Sequence, residues 1–166
     1  MKKVLLGAAV LAAISLTQTV NAQSASANFT ASARIVTPIS IVKNTDMNFG
    51  DVVPSGAAGT VVLSTAGARS VTGGANLGNA NGTSAATFTV SGQGLSTYAI
   101  TLPASANITS GANTMSVGTF TSSPAATGTL AACGTQALAL GATLSVGASQ
   151  ATGTYSGSFS VSVVYN

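Results

Sequence analysis

Apolar and polar residues alternate along most of this chain with a period of two, the signature of strands that bury one face. The first run is 24–35. Ala25, Ala27, Phe29, Ala31, Ala33 and Ile35 fall on one face, and Ser24, Ser26, Asn28, Thr30, Ser32 and Arg34 on the other. Pro38 interrupts and 39–42 resumes. Further strands are predicted over 47–53, 59–65, 86–91, 98–102, 115–121 and 138–146. They are separated by Pro54-Ser55-Gly56, Gly67, the turn-rich stretch 73–82 and Pro103. The last run is the clearest. Tyr155, Gly157, Phe159, Val161, Val163 and Tyr165 alternate with Ser156, Ser158, Ser160, Ser162 and Val164. No helical periodicity of comparable strength follows residue 22. Short strands between Gly, Asn, Ser and Pro turns predict an all-β, immunoglobulin-like antiparallel sandwich of about 7–9 strands.

The first 22 residues have a different pattern. Met1-Lys2-Lys3 precedes an apolar stretch, 4–14, and a polar segment ending Val20-Asn21-Ala22. A basic start, an apolar run too short to span a bilayer and a small-residue end predict a cleaved export signal over 1–22. Residues 23–36 are then an N-terminal arm and 37–166 the sandwich domain. No later run is apolar enough to cross a membrane.

Composition narrows the chemistry. Only 4% of the 166 residues are charged; there is no His and no Trp, and Cys133 stands alone. Without His there is no imidazole base, and with Asp46 and Asp51 as the only acids there is little for carboxylate or metal work. No catalysis, cofactor or metal site is expected. Five Lys and Arg cannot form a stripe for nucleic acid. Beyond the leader, Arg34, Lys43 and Arg69 face Asp46 and Asp51, leaving a net charge of 3 − 2 = +1. The three cations are expected to be solvated, the two Asp to form turns and Cys133 to be a small buried thiol. Sheet edges are usually protected by charge. Here they are not, so the edges are either covered or meant for pairing.

The first and last runs both lie at chain ends and can leave a sheet without tearing a loop. Pro38, which lacks an N–H and restricts Thr37, separates the arm from the body. The arm is either an ordinary edge strand of its own sheet or a strand added to another copy. In the second case its backbone hydrogen bonds contribute roughly 0.5–1.5 kcal/mol net each. Phe29 and Ile35 would each add about 1.5–3 kcal/mol on full burial.

The segments FTASARIV, DMNFGDVVPSGAAGTV, ATFTVSG, TYAITLP and the ending GTYSGSFSVSVVYN resemble a family of secreted bacterial β-domains of unassigned function, domain of unknown function 4402. That family is similar in turn to spore-coat-protein-U-like and archaic chaperone–usher fimbrial subunits. The likeness covers nearly all of the chain after the leader. Asn48-Phe49-Gly50 matches a motif found early in such subunits. Tyr165 matches their penultimate aromatic, and Gly153, thirteen residues before Asn166, their C-terminal glycine. The resemblance implies an incomplete sandwich, capped by a periplasmic chaperone and passed to an outer-membrane usher. It implies polymerisation into a surface filament by donation of the arm to the next copy. Ala27, Phe29, Ala31, Ala33 and Ile35 are then donor positions. Gly153, Phe159, Val161, Val163 and Tyr165 belong to the acceptor groove or chaperone contact. A lone Cys133 departs from the intrachain disulfide common in such subunits. The competing expectation is a monomeric, self-complete secreted or outer-membrane-associated binding or adhesion module.

Overall fold

The computed structural model describes residues 23–166, so the export signal expected over 1–22 lies outside the described residues. The chain divides into two units between Arg34 and Ile35. In the first, residues 23–34 form no strand and are exposed throughout.

The second unit, Ile35–Asn166, is all-β and sandwich-like, with twelve strands and no helix. They are β1 (Ser40–Thr45), β2 (Val52–Val53), β3 (Gly59–Leu63), β4 (Arg69–Gly73), β5 (Asn76–Leu77) and β6 (Ala86–Ser91). There follow β7 (Thr97–Thr101), β8 (Ser105–Ser110), β9 (Asn113–Ser123), β10 (Thr127–Thr129), β11 (Thr135–Val146) and β12 (Ser162–Tyr165). The count exceeds the expected 7–9 because several strands are two- or three-residue pieces and because β8 is polar, so its sequence SANITS hides it. β8 forms because it closes a tight hairpin with β9, in which Ser110 faces Asn113 across Gly111-Ala112. Gly111 has a φ of 59°, the left-handed conformation that such a two-residue turn requires.

β11 is the axis of a seven-stranded sheet. Its first half pairs with β6 and its second half with β3, while β9 runs along its other edge. β1 lies beyond β6, β4 beyond β3 and β8 beyond β9. A second sheet has the order β10-β7-β12, and β2 pairs with β5. Every ladder is antiparallel. On β11, Leu138, Leu140, Ala142, Leu144 and Val146 are buried, as the period of two predicts. Its other face carries hydroxyls: Ser145 lies beside Thr60 and Ser116, and Thr60 lies beside Thr72 with their hydroxyl oxygens 2.7 Å apart.

There are two cores. One gathers Val61, Ile108, Val117 and Leu144; the other gathers Val90, Tyr98, Ile100, Leu130 and Leu138. Met47 packs against both. Tyr98 is fully buried and donates its hydroxyl to Gln136 Oε1 at 2.8 Å. Burial pushes its phenol above the ordinary value of 10.0. The neutral form is therefore favoured in the fold. Its contribution is complete below the unfolded value and is lost as pH rises through the folded one. The denaturant midpoint should fall as pH climbs past the ordinary phenol value, and Tyr98→Phe should show a shallower fall.

Candidate functional site

The C-terminal run is a strand in path but not in pairing. At its end, Ser162–Tyr165 pair with Thr101–Tyr98 on β7. Near its start, Ser156 bridges Thr109 on β8. From 156 to 162 is six residues, and from 101 to 109 is eight, so the ladder must open between them. Pro103, which has no N–H to donate, stands in that interval on the β7–β8 side. Residues 157–161 form no ladder. The expected side-chain alternation survives: Tyr155, Phe159, Val161, Val163 and Tyr165 are half-buried and the intervening residues exposed.

Tyrosine hydroxyls tether this run at both ends. Tyr155 donates to the Ala151 carbonyl at 2.8 Å and accepts from Gln150 Nε2 at 2.8 Å. Tyr165 donates to the Thr37 carbonyl at 2.7 Å and accepts the Gln93 N–H at 2.5 Å. Gly92 makes room for that hydroxyl, since a Cβ there would overlap it.

The open stretch borders a groove of about 880 Å³. Its floor is buried Ile108, Val117, Leu140, Leu144 and Val146. Residues from the segments 43–54 and 150–161 also line it, together with Phe88 and Phe120. Phe49, Phe88, Phe120 and Phe159 all line it, and none is buried. Phe120 and Phe159 meet edge to face, with centroids 5.4 Å apart. A phenylalanine gains most from complete removal from water. The four rings that line this cleft are partly buried and pack against the two cores.

The Asn48-Phe49-Gly50 motif is the turn that fixes one wall. Asn48 Oδ1 accepts the Gly50 N–H at 2.8 Å, and the Asn48 and Ser84 backbones bridge. Gly50 has a φ of 66°, and a Cβ there would overlap Thr83 and Arg69. Arg69 is not solvated as expected: it is half-buried, because its guanidinium donates to the carbonyls of Phe49 (2.8 Å), Asp51 (3.0 Å) and Gly78 (3.2 Å). Asn81 Nδ2 donates to Asp51 Oδ2 at 2.9 Å, so Asp51 serves a turn, as its sequence setting suggests. Lys43 pairs with Asp46 at 2.6 Å on the exposed surface, where such a pair adds little.

The groove brings together only part of the predicted acceptor set. Phe159, Val161 and Gly153 line it. Val163 and Tyr165 pack instead against the Tyr98 core. Gly153 stands beside the Ser110 side chain, which a Cβ would overlap. Of the donor positions, Phe29 is 91% and Ile35 97% exposed, and Ala27, Ala31 and Ala33 are exposed too. Sequence reasoning missed Met47, Phe88, Met115 and Phe120 as groove residues. Only Phe49 carried a signal, its motif.

No group of three or more His, Cys, Asp or Glu comes together among the described residues. Also among the described residues, no helix is long and apolar enough to cross a membrane. Cys133 is exposed, contrary to the buried thiol expected, because it sits in the turn before β11. Contact with the Thr135 hydroxyl at 3.3 Å lowers its pKa.

A family model described as Domain of unknown function (DUF4402) matches residues 39–165, well over half of the chain. The chain belongs to that family. The match begins immediately after Pro38, so the arm lies outside it. No curated protein and no solved structure matches the chain.

Proposed function

We propose that this member of the DUF4402 family is a structural subunit of a bacterial surface filament, assembled by donation of the arm of one copy to the groove of the next. The carrying observation is the groove itself: four phenylalanines line it and none is buried. An extended strand suits this groove, because residues 157–161 offer backbone groups without a ladder partner. Such a strand should also be apolar on one face. The arm has both properties. Its Ala, Phe and Ile positions alternate with polar ones, and Phe29 and Ile35 are exposed. Fourteen residues, 23–36, extended at about 3.3 Å each reach about 46 Å. The eleven residues 155–165 span about 36 Å, so the arm is long enough. Strand addition draws affinity from main-chain pairing and register from alternating side chains.

Before assembly such a groove needs cover, since it exposes apolar surface. A periplasmic chaperone that lends a strand would supply it, and an outer-membrane usher would pass subunits outward. Residues 1–22 are read as the export signal for this route. Electron microscopy of the source cells with and without the gene tests the reading. Thin surface fibres that vanish on deletion of the gene are expected. Identical surfaces, with the protein recovered as a folded monomer, would favour a self-complete binding module instead.

A further inference from the structure

A hydrogen bond from Tyr165 to Thr37 ties the root of the arm to the end of the C-terminal run. Thr37 is the residue before Pro38, at the root of the arm, and its carbonyl accepts from the Tyr165 hydroxyl at 2.7 Å. The same oxygen of Tyr165 receives the Gln93 N–H at 2.5 Å, and Gly92 leaves the space it occupies. We infer that Tyr165 is a positioning residue, a latch that directs strand donation between copies rather than within one; this rests on the reading of the arm as a donor.

The latch roots the arm at the Tyr165 end of the C-terminal run. From there a chain's own arm, laid along residues 157–161, would have to run parallel to them. Every ladder in this fold is antiparallel. The other intramolecular route is a hairpin onto β1, which turns at residues 37–39. There Pro38 has no N–H to offer and the Thr37 carbonyl is already engaged by Tyr165. The arm of a second copy is rooted at that copy's own Tyr165 and not at this one's, so it is free to enter antiparallel.

Two variants reach the latch from opposite sides. Tyr165→Phe keeps the ring and removes the hydroxyl; Gly92→Ala keeps the hydroxyl and displaces it. The full-length gene product and both variants are recovered from cells and run unboiled in SDS, and the folded monomer is quantified by gel filtration. The latch predicts that each variant raises the ratio of folded monomer to multimer roughly three- to tenfold, the weight of one net hydrogen bond. Multimers in the parent chain with the same ratio in both variants would overturn the latch and leave strand donation standing. No multimers in the parent chain would overturn strand donation itself. A variant that fails to fold is replaced by the other, since each alone reports the ratio.

Discussion

Deletion of residues 23–36 is expected to abolish multimers and to leave a subunit whose groove has no strand to receive from its neighbours. This is the largest effect expected of any change to the chain. A donor segment offers on the order of ten backbone hydrogen bonds at roughly 0.5–1.5 kcal/mol net each. Burial of Phe29 and Ile35 adds about 1.5–3 kcal/mol apiece. Removing all of it costs the polymer far more than the surplus a filament contact needs. The body should keep its strands, because all twelve lie within Ser40–Tyr165 and none draws a ladder partner from the deleted segment. Far-ultraviolet circular dichroism of the deletion variant should match that of the parent, while ladders in unboiled SDS gels disappear. Parent-like ladders would remove the arm from assembly altogether.

Tyr165→Ser is the second large effect, and it acts on the subunit. The ring packs against the core that holds Tyr98 and Leu130, and the hydroxyl satisfies the Gln93 amide. Loss of a half-buried ring and of that acceptor together costs about 3 kcal/mol. Domains are stable by only about 5–15 kcal/mol, so the loss is a large share. A fall in Tm of about 10 °C is expected for a domain of this size, with a lower yield of folded protein. An unchanged Tm would show that β12 does not hold the second sheet together. Tyr165→Phe, which retains the ring, should fall much less.

The period of two places most of the longer strands and the inward face of β11, because burial on one face imposes that period whatever the pairing, but it misses β4, and the run 24–35 forms no strand. It also placed Tyr155, Phe159, Val161, Val163 and Tyr165 on one side of the terminal run, where they are. It says nothing about the ladder, which residues 157–161 lack. β8 escaped notice because SANITS has few apolar residues; its strand form comes from a partner, β9, and not from its own composition. The groove was the least legible feature. Phe49, Phe88, Phe120 and Phe159 sit on four separate segments, and only the folded register brings them to one cleft. Arg69 and Cys133 exchanged their expected roles for local reasons. One guanidinium met three carbonyls at a turn, and one thiol fell in a turn that faces solvent.

Moving the arm tests the account most directly. Residues 23–36 are removed from the front of the chain and attached after Asn166 through a short Gly-Asn turn, so that they can fold back antiparallel onto the C-terminal run. If the sandwich lacks one strand and the arm is that strand, this chain is monomeric, more stable than the deletion variant and unable to form multimers with added parent subunit. Its Phe49, Phe88, Phe120 and Phe159 rings become protected from solvent. A rearranged chain no more stable than the deletion variant, with those four rings as accessible as before, would contradict it.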